Sequence, residues 1–145
     1  MRLVAWLGSL AVLTLILTGC SRAASGGAGN AEPRTIQLSA TEFAFSPTPV
    51  RLKAGETVVL ELQNKGTVLH DLSVGDMPVQ DPMEMSGASH DMSGMDMHAV
   101  TVHVAVGAGQ SGKVKFRPTK PGTYTFDCTQ PGHKDSGMTG TIVVE

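Results

Sequence analysis

The sequence has no excess of basic charge: 11 Lys and Arg stand against 13 Asp and Glu. That argues against a nucleic-acid binder, which needs a positive face. No stretch holds a helical period of apolar residues, which argues against a helical fold. Aromatic residues are scarce, with one Trp and one Tyr in 145 residues. The length leaves room for about one domain and excludes a multidomain enzyme. Cysteine is limited to Cys20 and Cys128. In an exported chain, two cysteines suggest a disulfide. The surroundings of each point instead to two separate chemistries.

Met1-Arg2 opens the chain with a positive charge, and Leu3 to Leu17 is nearly all apolar. Small residues follow, in Leu17-Thr18-Gly19-Cys20. This is the pattern of an export signal, slightly short for a comfortable membrane span. Its tail resembles a bacterial lipobox. That resemblance implies that residues 1–19 are removed and that Cys20 carries a lipid. Residues 20–34 are rich in Gly, Ala and Ser and hold almost no large apolar side chain. They read as a flexible tether. The implied location is extracytoplasmic, with the domain lipid-anchored to a membrane.

Residues 35–145 change to a period of two. Val58, Leu60 and Leu62 alternate with Val59, Glu61 and Gln63, and Val100 to Val106 alternates likewise. Ile36 and Leu38, Lys113 to Phe116, Thr123 to Asp127 and Thr139 to Val144 add further runs, separated by Gly and Pro turns. Such short runs describe an all-β sandwich or barrel. One region departs from the pattern. Residues 75–98 carry Met77, Met83, Met85, Met92, Met95 and Met97, with His90 and His98. No Lys or Arg occurs between Lys65 and Lys113. This reads as a Met/His-rich acidic loop insertion, too polar and too broken to be core.

The informative stretch is Cys128-Thr-Gln-Pro-Gly-His133-Lys-Asp-Ser-Gly-Met138, between two strand patterns. Thiolate, imidazole and thioether are soft to borderline ligands. Two His, one Cys and a weak axial Met make the blue-copper arrangement. His70, just after a turn and at the start of a strand, is the best candidate for the second His. His103 is its rival, but it lies mid-strand on the face opposite the valines. Tyr124 and Phe126 are expected to pack around the site and pin the strand that carries Cys128.

These residues resemble the cupredoxins, the type 1 blue copper proteins. The likeness runs through Glu42-Phe-Ala-Phe-Ser-Pro, Val50-Arg-Leu-Lys-Ala-Gly-Glu-Thr-Val and Lys120-Pro-Gly-Thr-Tyr-Thr-Phe-Asp-Cys. The Cys-x4-His-x4-Met spacing is closest to the rusticyanin/sulfocyanin-like bacterial branch. The resemblance implies a Greek-key β-sandwich of about eight strands and one type 1 copper cycling between Cu(I) and Cu(II). It makes His70, Cys128 and His133 the strong ligands and Met138 the weak axial one. Many relatives carry Asn or Ser after the first His, where this chain has Asp71. A carboxylate near the copper thiolate favours Cu(II) and lowers the reduction potential.

The implied function is a membrane-tethered one-electron carrier, not an enzyme. Multicopper oxidases need more His and another domain, and a binuclear copper site needs a second nearby Cys. The implied partner is a redox protein such as a cytochrome or terminal oxidase, with the carrier itself a monomer. The alternative is a periplasmic copper chaperone or resistance protein. In that role Met83, Met85, His90, Met92, Met95, Met97 and His98 would form a second copper site, since thioethers bind Cu(I) well. Against this stands a plain solvated insertion.

Overall fold

The computed structural model describes residues 32–89 and 99–145. These form ten strands and no helix. In chain order they are β1 (Arg34–Thr41), β2 (Ala44–Ser46), β3 (Val50–Leu52), β4 (Val58–Asn64) and β5 (His70–Val74). Then come β6 (Val79–Ser86), β7 (Val102–Val106), β8 (Ser111–Pro118), β9 (Gly122–Asp127) and β10 (Thr139–Val144). One sheet has the order β2-β1-β4-β8-β6 and the other β3-β10-β9-β5-β7. From β2 to β9 every connection crosses from one sheet to the other. Such crossings belong to a Greek-key sandwich rather than a meander.

Alternation explains the layering. In β4, Val58, Leu60 and Leu62 are fully buried, while Glu61 on the outer face accepts a bond from Gln37 at 2.9 Å. Val114 and Phe116 of β8 and Val102, Val104 and Val106 of β7 complete the aliphatic interior. Two glycines set how closely parts of this core approach. A Cβ on Gly112 would lie 2.7 Å from Val106 and 2.8 Å from Val104. A Cβ on Gly140 would overlap the ring of Phe126, which packs edge-on against Phe45 at 5.1 Å.

The stretch expected as a loop insertion is in part structural. Val79–Ser86 is a strand, paired with β8 at the edge of its sheet. Met77, expected outside the core, is fully buried within it. The alternation signal was missing for a physical reason. An edge strand has one free side, and almost every side chain of β6 is exposed. Two register shifts also break its period, one between Gln80 and Met83 around Asp81, whose φ is 52°, and one between Glu84 and Ser86. Asp81 pairs with Arg117 at 2.9 Å, a charge on an open edge that discourages pairing with another chain. The short strands β2 and β3, together with β6, bring the count to ten.

Replacing Gly140 by Ala forces the Phe126 ring out of its place. Overpacking of this kind costs about 1–3 kcal/mol. The expected result is a lower denaturant midpoint with an unchanged slope, read by urea titration of the parent and the variant.

Candidate metal centre

β5 and β9 pair only at Ser73↔Asp127 and Val74↔Phe126. Beyond that point the two strands stop pairing, and the gap receives the ligand residues. His70 starts β5, and Cys128 follows directly on β9. Both are fully buried. His133 reaches back from the following loop and is half-buried. The imidazole nitrogens and the thiol of these three residues lie within 4.8 Å of one another. Cys128 Sγ is 3.3 Å from His133 Nδ1 and 3.9 Å from His70 Nδ1.

The loop after Cys128 holds its own shape. His133 N–H donates to Gln130 O at 3.0 Å, and Ser136 N–H to Gly132 O at 3.0 Å. Gly132 and Gly137 have φ of 78° and 94°, values that favour glycine. Met138 is tied to both neighbours through its backbone. Its N–H donates to His133 O at 3.0 Å, and its carbonyl accepts from Cys128 N–H at 3.1 Å. Its side chain is fully buried. The loop's own backbone bonds thus tie Cys128, His133 and Met138 to one another.

The His70 side is pinned separately. Buried Asn64 donates to Val68 O at 2.7 Å and Val106 O at 3.0 Å, and accepts from Gly66 N–H at 2.8 Å. Glu42 accepts from Thr67 N–H at 2.6 Å and from its hydroxyl at 3.0 Å. The turn is therefore held from both ends. Gly66 is required within it, because a Cβ there would meet Glu42 Oε1 at 2.7 Å and His70 Nε2 at 2.8 Å.

Asp71 points to the site rather than to solvent. It is fully buried and accepts from Thr129 N–H at 2.7 Å and from the Thr129 hydroxyl. His103 Nε2 lies 3.1 Å from Oδ2, the oxygen that also takes the Thr129 hydroxyl. Burial alone would raise its carboxyl. Hydrogen bonds from His103, Thr129 and Cys128 outweigh that and hold it at about 2. Burial pushes the Cys128 thiol up to about 12, and the Asp71 charge adds to it. Burial, then repulsion from His133, lowers His70, which keeps its imidazole neutral and able to ligate.

The donor set fits copper. Two imidazole nitrogens face one buried thiol, and the thiol needs a cation beside it to exist as thiolate. Two imidazoles and a thiolate with a thioether nearby make a copper site, and His70, Cys128, His133 and Met138 fit one type 1 copper. His103, the rival ligand, is outside this cluster and turned to Asp71. Tyr124 packs against the core that contains Cys128 and Met138, and its hydroxyl bonds Lys120 O at 3.0 Å. Met83 and Met85 lie exposed on β6. Cys20, His90, Met92, Met95, Met97 and His98 lie outside the described residues. The sequence marks Asn64 only as part of a turn and Glu42 only as part of a family-like motif, not as residues that hold the site. Their roles arise from contacts of 25 and 42 residues' separation, which no local motif records.

Residues 34–145 match the family of copper binding proteins typified by plastocyanin and azurin, and the chain belongs to it. It is a cupredoxin. It is 33% identical over 122 residues to the copper-resistant cuproprotein CopI of Rubrivivax gelatinosus, covering 82% of this chain and 70% of that one. It is 30% identical over 165 residues to CopI of Pseudomonas aeruginosa, covering 90% of this chain and 91% of that one. Among solved structures it is similar to auracyanin B, with a TM-score of 0.60 and 27% identity over 80% of this chain and 92% of that one.

Gly66→Ala should retain the sandwich but weaken copper binding, since the added methyl group displaces His70. Titration with Cu(II), followed by visible absorption, should show a lower affinity or a lost charge-transfer band beside an unchanged far-UV spectrum.

Proposed function

We propose that this protein is a mononuclear blue copper protein of an extracytoplasmic compartment that serves copper tolerance. The observation that carries this reading is the similarity to two copper-resistance cuproproteins along most of the chain, with a complete copper donor set in the fold. Copper bound here would supply reversible one-electron chemistry. The protein's part is to hold His70, Cys128 and His133 as the strong ligands and Met138 as the weak axial one. Burial of Cys128 excludes water from the thiolate, and the self-bonded loop limits rearrangement between oxidation states. The exposed thioethers Met83 and Met85 begin the Met-rich segment that would take up Cu(I) in this reading.

A second reading is the one-electron carrier with a cytochrome or oxidase as partner, which membership of the plastocyanin/azurin copper-binding family supports. It also fits the half-exposed Phe43, whose ring meets the His133 imidazole edge-on at 5.3 Å. In both readings Cys20 carries the lipid that tethers the domain to the membrane.

Deleting the gene in its own bacterium separates the readings. Growth should become more sensitive to copper, and the full-length parent should restore it while Cys128→Ser does not. Unchanged copper tolerance with slowed respiratory electron flow would favour the carrier. For the anchor, a labelled fatty acid should be incorporated into the parent chain and not into Cys20→Ala, which should leave the membrane fraction. Equal labelling of both would remove the lipid assignment.

A further inference from the structure

Asp71 and His103 sit on neighbouring strands. In the β5–β7 ladder Asp71 pairs with Ala105 and Ser73 with His103, so the two side chains are diagonal neighbours on one face. That face is the one opposite the core valines, yet neither side chain is open to water. Asp71 is fully buried, and the His103 side chain is 9% exposed. A carboxylate placed so needs donors to replace its water. Beside the Cys128 thiol, three are present: Thr129 N–H, the Thr129 hydroxyl and His103 Nε2. A group accepting from all three is an ionised, acceptor-only carboxylate, and the imidazole proton must then lie on Nε2.

The position of these bonds matters more than their number. Backbone pairing of β5 with β9 ends at Ser73↔Asp127, one residue before Cys128. The Asp71 carboxylate takes the Thr129 N–H, one residue after Cys128. Cys128 is therefore bracketed by a strand pair on one side and a side-chain bond on the other. The carboxylate oxygen that takes the Thr129 hydroxyl, Oδ2, is also held by His103, from β7, a strand that contributes no ligand.

We propose that His103 is a positioning residue of the copper site: it fixes the Asp71 carboxylate against the Cys128–Thr129 segment and thereby sets the reduction potential. It acts through Asp71 and not by ligation. The inference rests on the copper reading of the His70–Cys128–His133 cluster. An N–H donor draws charge away from the carboxylate oxygen it meets. Without it, the full negative charge faces the copper thiolate, which favours Cu(II) and lowers the potential.

The test uses His103→Leu, which keeps an apolar side chain but no donor, and His103→Gln, which restores one. Each is made in the parent and in Asp71→Asn. In the copper-free proteins, hydrogen exchange of the Thr129 amide should speed up in His103→Leu and return towards the parent rate in His103→Gln. In the copper-loaded proteins, His103→Leu should lower the midpoint potential in the parent background and leave it unmoved in Asp71→Asn. An equal shift in both backgrounds, or a parent-like potential and Thr129 exchange in His103→Leu, overturns the proposal. A parent that shows the exchange effect but binds no copper overturns the setting of the potential and the copper reading together. Altered exchange spread over all core amides in both variants would also overturn it, as that marks general loosening rather than a local hold.

Discussion

Everything at the candidate metal centre depends on where the β5–β9 ladder stops. Two antiparallel strands that kept pairing would fill the space with backbone hydrogen bonds. Here pairing ends at Ser73↔Asp127; Cys128 is the next residue on one strand, and His70 stands at the start of the other, beyond Leu72 and Asp71. The end of the ladder leaves backbone groups needing partners, since a buried unpaired amide costs about 1–3 kcal/mol. On that side Asp71 takes the Thr129 N–H, while the Cys128 N–H bonds Met138 O on the β10 side and so continues the β9–β10 pairing. The bond that compensates for the opened ladder also holds Thr129, the residue next to the Cys128 ligand.

The two halves of the donor set are built differently. Cys128, His133 and Met138 come from one short loop closed by local bonds, so their relative placement is a property of that segment. His70 comes from a turn anchored by Asn64 and Glu42, residues on other elements. Its placement is a property of the assembled sandwich. The sandwich core brings the halves together. Phe126, two residues before Cys128, is locked between Phe45 and Gly140. Rigidity of this kind suits a site whose ligands should move little when an electron arrives or leaves.

This construction explains what could be read from the sequence. The loop ligands were legible because Cys128, His133 and Met138 are close in the chain and chemically distinctive. His70 was legible from its place after a turn. The all-β fold followed from alternation in β4, β7, β8 and β10, where one face is core and the other solvent. β6 was missed because both of its faces are largely open, so burial writes no period into it. Met77 was missed because a thioether among acidic and small residues looks like its exposed neighbours, although it fills the core. His103 was rightly set aside as a ligand. Its contact with Asp71 was invisible, since the pairing of β5 with β7 that makes them neighbours joins residues 32 apart.

Copper tolerance and electron transfer ask for the same first requirement, a thiolate kept from water and from oxidation. They diverge at the surface. A carrier must expose one edge of the site to a partner, and the half-buried His133 beside exposed Phe43 gives such an edge. A copper-handling protein must also meet the metal before the buried site does, and exposed thioethers are suited to that. Met83 and Met85, each 54% exposed, stand on an edge strand paired with β8. Exposed methionines in an oxidising compartment are prone to sulfoxide formation, so their presence needs a use. Copper(I) binding is a use that matches thioether chemistry, and it adds to the weight of the copper-tolerance reading without altering the cupredoxin site.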